Sequence, residues 1–327
     1  MKDRSSDYIL VTGGAGFIGS HLVERLLKDG NSVVVIDDFS TGTIENLRAV
    51  ADNPALRIIR GKVSECPDLL QLVAGAKAIY HLAATVGVEL VVNSAVATLE
   101  TNLRETEALF KALAVHPTQV LLASTSEVYG RSLKTEFTET DDLLIGPPTC
   151  ARWSYACSKL MDEFLAIAHA RERQLPVTIA RLFNTVGPRQ TGRYGMVLPR
   201  FIEAASAGLP LQVYGNGAQT RCFCYVGDAV EAMVRLQQTP AADGEIVNIG
   251  STEEVTILQL AETVVRVLNS RSTINTIPYD SAYGPGFEDM LRRKPSVQKL
   301  QALIRFIPRT SLDEIILLTA GSTRAKK

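Results

Sequence analysis

Thr12-Gly13-Gly14-Ala15-Gly16-Phe17-Ile18-Gly19 lies between an apolar run, Tyr8 to Val11, and an amphipathic stretch, His21 to Leu27. The pattern predicts a strand, a tight turn and a helix. Glycines at this spacing let the backbone approach a pyrophosphate closely, and the start of the helix turns its N–H groups toward the negative charge. Gly13, Gly16, Phe17, Ile18 and Gly19 are therefore candidate dinucleotide contacts. A second apolar run, Val33 to Ile36, ends in Asp37, eighteen residues past Gly19. A carboxylate there accepts hydrogen bonds from both hydroxyls of a ribose and repels a 2′-phosphate, which selects NAD over NADP.

Outward from this unit, strand-length apolar runs recur at Ile9 to Thr12, Val33 to Asp37, Leu56 to Arg60, Ala78 to Leu82, Val120 to Ser124 and Val177 to Leu182. Segments of helical period separate most of them, among them Asn93 to Val115 and Ser154 to Arg173. Continuous apolar strands alternating with helices predict an α/β fold, a doubly wound Rossmann-type parallel sheet covered on both faces. Residues 1–185 are expected to form this domain. Beyond Asn184, Gly and Pro become frequent and the elements shorten, which predicts a smaller α/β substrate lobe over 186–321. That lobe is assigned strands at Leu211 to Tyr214, Cys222 to Val226 and Ile246 to Ile249, and helices at Asp228 to Gln237 and Thr256 to Leu268. Thr256 and Ser311 stand where helix caps belong, and Ser322 to Lys327 reads as a disordered tail.

The chain has 327 residues, enough for a full core, and its 34 Lys and Arg nearly balance its 35 Asp and Glu. A net charge of −1 recruits neither nucleic acid nor an anionic membrane. The polar start, Met1 to Asp7, lacks the apolar core of a signal peptide, and a cytoplasmic protein is expected. Five cysteines show no C-x-x-C spacing, so they read as reduced thiols and no metal site is expected.

Tyr155-Ala156-Cys157-Ser158-Lys159 opens the helix that follows the Val120 strand. Residues four apart share a helix face, so phenol and ammonium point into one space. A phenol ordinarily titrates near ~10, but a neighbouring ammonium and a positive nicotinamide ring both favour the phenolate, a base for a hydroxyl proton. Ser124-Thr125-Ser126-Glu127 closes the Val120 strand at the sheet edge where ligands bind, and hydroxyls there hold the same substrate alcohol. Glycine loop, hydroxyls and Tyr-x-x-x-Lys together describe a hydride-transfer site.

These residues, with His81-Leu82-Ala83-Ala84, Ser124-Thr125-Ser126-Glu127-Val128-Tyr129-Gly130 and Ala180-Arg181-Leu182-Phe183-Asn184, resemble the extended short-chain dehydrogenases that modify nucleotide sugars. Within that group the chain is most similar to the UDP-glucuronic acid decarboxylases. Their pattern reappears in Phe183 to Arg189, Val213 to Gly217, Gln219-Thr220-Arg221 and Arg292-Arg293-Lys294-Pro295-Ser296. The resemblance implies that Leu82, Ala83, Ser124, Tyr155 and Lys159 flank NAD, and that Asn184 and Arg221 contact the nucleotide diphosphate. It further implies that Val213 and Tyr214 lie near the uracil, that Arg292 belongs to the substrate site, and that Glu127 and Arg293 serve decarboxylation. Thr125, Ser126, Tyr155 and Lys159 complete the catalytic set.

The implied reaction oxidises carbon 4 of UDP-glucuronic acid, which leaves the carboxylate beta to a ketone and free to depart as carbon dioxide. UDP-xylose or a UDP-4-keto-pentose results. Sugar dehydratases carry an aspartate where this chain has Ser126, and a serine offers no proton for a departing hydroxyl. An NAD-dependent 4-epimerase of a UDP-sugar or UDP-uronic acid is the alternative. Two segments depart from the decarboxylases: Thr85-Val86-Gly87-Val88-Glu89 is closer to epimerases, and Lys62 stands where an aspartate commonly meets adenine. Relatives pair through two long helices, so a homodimer with a four-helix contact through Asn93 to Val115 and Ser154 to Arg173 is expected.

Overall fold

The computed structural model describes residues 7–85, 95–192, 196–278, 290 and 292–324. Strands β1 (Tyr8–Thr12), β2 (Ser32–Asp37), β3 (Leu56–Arg60), β4 (Ala76–His81), β5 (Val120–Thr125) and β6 (Val177–Leu182) alternate with helices α1 (Phe17–Lys28), α2 (Leu69–Gly75), α3 (Ala95–Val115) and α4 (Trp153–Arg173). All six strands fall on the apolar runs. Then come β7 (Thr185–Val186), α5 (Val197–Ser206), β8 (Leu211–Tyr214), β9 (Thr220–Cys222), β10 (Cys224–Tyr225), α6 (Val226–Gln237) and β11 (Ile246–Ile249). β12 (Glu254–Thr256), α7 (Ile257–Val267), β13 (Ile274–Ile277), α8 (Gln298–Ile304) and α9 (Leu312–Arg324) complete the chain.

The main sheet has seven parallel strands in the order β11-β6-β5-β4-β1-β2-β3. Successive residues of a strand face opposite layers, which is why the inner strands are apolar on both faces while the edge strand β3 carries exposed Arg57 and Arg60. Ile9, Val11, Val33 and Val35 pack with helices α1, α6 and α8 on one side. Leu10, Val34, Ile36 and Ile79 pack with α2, α3 and α4 on the other. The order reverses between β1 and β4, and the crevice beyond their carboxyl ends is where a doubly wound sheet takes its ligand.

Two elements assigned from sequence to the second lobe belong to the main sheet instead. β11 pairs in parallel with β6, from Ile246 against Ile179 to Ile249 against Leu182, and α6 packs on α1. The crossover covers an edge that β6 would otherwise expose. The smaller lobe is built on a separate core in which Leu198, Phe201 and Ile202 of α5 meet Leu260 and Val264 of α7 and Ile315 and Ile316 of α9. Thr256 caps α7 with a full capping box through Gln259, and the Ser311 hydroxyl accepts the Glu314 N–H at the start of α9. The tail is less loose than its composition suggests. α9 continues through Arg324, with the Ser322 hydroxyl donating to the Thr319 carbonyl, and only 325–327 lie outside the described residues.

Candidate active site

A cleft of about 470 Å³ runs along the carboxyl edge of the sheet and opens toward the smaller lobe. Its near wall is the glycine turn. Gly13 holds φ +70°, and a Cβ there would lie 2.8 Å from the backbone of Leu82 and Ala83, so this turn and the end of β4 touch main chain to main chain. A Cβ on Gly19 would lie 2.1 Å from the Gly13 carbonyl oxygen, which seats the first turn of α1 directly on the loop. Gly16 forms the N-cap of α1 and brings no side chain to the first N–H groups, and Gly16, Phe17, Ile18 and Gly19 line the cleft there.

Asp37 closes this end. Its Oδ2 accepts the Ala15 N–H and its Oδ1 the Phe39 N–H, both at 2.8 Å. A carboxylate offers about four lone-pair directions, so each oxygen keeps one for a further donor. Burial lifts the Asp37 pKa above its ordinary value, against the pull of the two N–H donors. Lys62 lies along the same wall and its ammonium pairs with Glu65 at 3.1 Å.

The reactive centre forms where β5 ends and α4 begins. Thr125 caps a short helical turn over Ser126–Tyr129 by accepting the Glu127 N–H, and its hydroxyl lines the cleft near the Tyr155 phenol, whose pKa it lowers. The Ser126 hydroxyl borders the cleft with its oxygen buried and without a partner among the described residues. Ser124 is committed elsewhere: its hydroxyl donates to Glu163, which also holds Arg181 at 2.7 Å.

Tyr155 and Lys159 both line the cleft, yet their electrostatics differ from the simple expectation. The Lys159 ammonium is bound by Asp162 at 2.8 Å, with both side chains almost fully enclosed. Burial pushes the phenol up, Glu127 and Asp162 push it further, and only the Thr125 hydrogen bond opposes them. Lysine i and aspartate i+3 meet on one helix face, so Asp162 takes up much of the charge expected to ionise the phenol. The phenol is a proton donor until further positive charge arrives.

Opposite Tyr155, Glu127 is gripped from two sides. Arg293 Nη1 donates to Oε1 at 2.8 Å and Arg152 Nη2 to Oε2 at 3.2 Å. Burial raises the Glu127 pKa, but Arg152, Arg293 and Arg221 outweigh it and hold the carboxyl down at about 2. Glu127 is thus a fixed anion at neutral pH. The same Arg293 nitrogen donates to Asn184 Oδ1 at 3.3 Å, while Asn184 Nδ2 donates to the Cys222 carbonyl. Arg293 reaches this point because Phe137 exchanges backbone hydrogen bonds with Lys294 and Ser296, each 2.8 Å.

A model of the NAD dependent epimerase/dehydratase family matches residues 9–250. The chain belongs to that family. The UDP-N-acetyl-alpha-D-glucosaminuronate decarboxylase of Bacillus cytotoxicus is 41% identical over 315 residues, 96% of this chain and 95% of that protein. UDP-glucuronic acid decarboxylase 1 of Arabidopsis thaliana is 38% identical over 94% of this chain and 67% of its own length. Among solved structures, a UDP-glucuronic acid 4-epimerase from Bacillus cereus in complex with UDP-glucuronic acid and NAD superposes with a TM-score of 0.87, at 29% identity, covering 98% of this chain and 100% of that one.

NAD is the cofactor of this epimerase/dehydratase chain, and the residues present fit it. The spare lone pairs of Asp37 suit a ribose diol, and the contact between Gly13 and the end of β4 leaves the open N–H groups of α1 for a pyrophosphate.

Most residues singled out from sequence converge on the cleft: Gly13, Gly16, Phe17, Ile18, Gly19, Asp37, Leu82, Ala83, Ser124, Thr125, Ser126, Glu127, Tyr155, Lys159, Asn184, Tyr214, Arg221 and Arg293 all line it. Two do not. Val213 is fully buried in the core of the smaller lobe, and Arg292 pairs with Glu254 at 2.7 Å, neither of the pair lining the cleft. Successive residues of β8 point to opposite sides, which sends Tyr214 to the cleft and Val213 to the core, while Arg293 lines the cleft and Arg292 turns to Glu254. Residues 86–89, part of the segment that departs from the decarboxylases, lie outside the described residues. Sequence reading assigned no role to Arg152, Arg200 or Asp162. Arg200 stacks over the Tyr214 ring at 4.2 Å and donates to its hydroxyl, forming the far wall. Trp153 is a packing anchor, buried among Val128, Tyr129, Phe137 and Phe183.

Proposed function

We propose that this chain is an NAD-dependent decarboxylase of UDP-glucuronic acid that works through a 4-keto sugar and yields UDP-xylose, UDP-4-keto-pentose or both. The observation that carries the reading is Glu127, ion-paired to both Arg152 and Arg293 within the cleft that holds Tyr155, Thr125 and Ser126. The two decarboxylase relatives, at 41% and 38% identity over most of the chain, support it.

Bound NAD supplies a reversible acceptor for the hydrogen on carbon 4, taken up as hydride. Tyr155 removes the proton of the carbon 4 hydroxyl, and the Thr125 hydroxyl fixes the direction of the phenol. With carbon 4 a ketone, the bond between carbon 5 and the carboxyl carbon breaks, and its electron pair moves into an enolate ending on the carbon 4 oxygen. The Tyr155 O–H and the buried Ser126 hydroxyl donate to that oxygen as charge develops. A proton then returns to carbon 5, giving the UDP-4-keto-pentose; UDP-xylose results where the hydride taken from carbon 4 is given back to it and Tyr155 returns the proton to its oxygen. Glu127, anionic and held by arginines, orders the wall facing that carbon. Asn184, Arg200, Arg221 and Tyr214 take the UDP portion, the arginines supplying charge to the diphosphate.

The test is incubation of the purified protein with UDP-glucuronate and NAD, followed by mass spectrometry of the nucleotide sugar. Loss of one carbon dioxide is expected. An unchanged mass with a new chromatographic peak would replace this reading with 4-epimerisation, the activity for which the Bacillus cereus enzyme is named. A second substrate, the 2-acetamido uronate, is favoured by the name of the 41% relative, and a parallel incubation decides between them.

The protein is further proposed to form a homodimer in the cytoplasm. α3 and α4 pack together and leave Val96, Leu103, Met161 and Phe164 exposed, an apolar face suited to a four-helix contact with a second copy. Five free thiols fit a reducing compartment. Sedimentation at micromolar concentration tests the dimer, and a monomer there would refute it.

A further inference from the structure

With the nicotinamide at Tyr155 and the pyrophosphate at the start of α1, the ribose that suits Asp37 belongs to the adenosine half of the dinucleotide. The base on that ribose lies against the next stretch of wall. Gly61 donates its N–H to the Asp37 carbonyl at 3.0 Å, which joins the turn after β3 to the end of β2. Gly61, Lys62 and Val63 line the cleft there, and α3 brings Thr101 and Glu105 to the same lining.

Adenine presents an amino group, and its N–H bonds call for an acceptor. Lys62 is not one: an ammonium carries three donors and no acceptor, and this one is paired with Glu65. Glu105 is 4% exposed, and its carboxylate is met by uncharged donors of a single turn. Oε2 accepts the N–H groups of Val63 and Ser64, the second at 3.2 Å, and Oε1 accepts the Ser64 hydroxyl. Three of about four lone-pair directions are thereby used, and the one left belongs to Oε1. A nearly enclosed carboxylate held by neutral donors gains from each further one. Asp38 is the other carboxylate near the Asp37 end, but it belongs to the β2 side and its Oδ1 accepts the Ser40 N–H of its own exposed loop at 2.9 Å.

We propose that Glu105 reads the adenine, its Oε1 accepting an N–H of the amino group. α3 thus supplies the base selectivity that a lysine at the turn after β3 does not. The inference rests on NAD as the cofactor and is independent of the sugar chemistry proposed above.

A competition between NAD and nicotinamide hypoxanthine dinucleotide tests it. The full-length protein is equilibrated with an equimolar excess of the two, freed of unbound ligand by rapid gel filtration, and its bound dinucleotides are released and quantified by chromatography. Hypoxanthine has a carbonyl where adenine has the amino group and so turns an acceptor toward the carboxylate. The wild-type protein should retain NAD at least about tenfold over the analogue, the size of one charge-assisted hydrogen bond. In Glu105→Gln the Val63 and Ser64 N–H groups claim the single side-chain oxygen and leave the amide nitrogen, a donor, for the base, so the ratio should fall below one. Glu105→Asp draws the oxygens back by one methylene and should give an intermediate ratio, while Lys62→Ala and Asp38→Asn should keep the wild-type ratio. A wild-type ratio near one overturns the assignment, as does a wild-type ratio retained in both Glu105 variants. Collapse of the ratio in Asp38→Asn with Glu105→Gln unaffected gives the base to the β2 side and overturns it too.

Discussion

Replacing Glu127 by glutamine removes one charge from the cleft and keeps its shape. The carboxyl is held at about 2 against an ordinary 4.5, which at 1.36 kcal/mol per tenfold change in proton affinity amounts to about 3 kcal/mol favouring the ionised, folded form. The sign follows from the depressed value. Stabilisation is complete above the unfolded pKa near 4.5 and is lost as pH falls through the folded value of about 2. The wild-type protein should therefore exceed Glu127→Gln by about 3 kcal/mol at pH 7 and by roughly half that at pH 3. Urea unfolding of both proteins at pH 7, 5, 4 and 3 reads the gap directly, and other acid transitions cancel in the difference. A gap of constant size across that range would mean that the arginines do not hold the carboxylate, and the electrostatic account of the cleft would fail.

Asp162→Asn leaves Lys159 charged and enclosed without its 2.8 Å partner, so unfolding stability should fall by about 3 kcal/mol. Because Asp162 also pushes the phenol up, the same change should move the limb of the pH–rate profile governed by Tyr155 to lower pH; a shift upward or none refutes the coupling. Tyr155→Phe should reduce turnover by about a hundredfold to ten-thousandfold with NAD affinity unchanged, checked by calorimetry alongside rates. Gly19→Ala brings a Cβ to 2.1 Å from the Gly13 carbonyl, and NAD should bind at least about tenfold more weakly while UDP binding persists.

The main sheet was legible because most of its first six strands are dominated by apolar residues on both faces, the pattern of a strand covered on both sides, although β3 carries Arg57 and Arg60 and β4 carries Lys77. β11 is equally apolar, but it follows a stretch rich in Gly and Pro, and local texture cannot say which sheet a strand returns to. The cofactor half was readable as well, since glycines at crowded positions leave a mark in the chain itself. The substrate half was read only in part. Val213 and Tyr214 are adjacent residues of a strand that point apart, and alternation was the signal that would have separated them; Arg292 and Arg293 also part, one to Glu254 and one to Glu127, without a strand to mark it. Arg152 gave no such signal: its importance comes from Glu127, twenty-five residues earlier, and from Arg293 near the other end of the chain. Asp162 sits three residues beyond Lys159 and was within reach of helical spacing, had lysine been asked for its partner rather than for its charge.

Charge is distributed unevenly along the cleft, and that asymmetry constrains how a ligand pair can lie in it. Asp37 makes one end acceptor-rich, and Arg152, Arg200, Arg221 and Arg293 make the other cationic. That placement suits a dinucleotide with a sugar diol toward Asp37 and an anionic nucleotide sugar toward the arginine end, with Tyr155 between them. At that midpoint Lys159 is offset by Asp162, and Glu127 opposes ionisation of the phenol. The free protein thus keeps its phenol protonated, and a positive nicotinamide ring beside it would favour the phenolate.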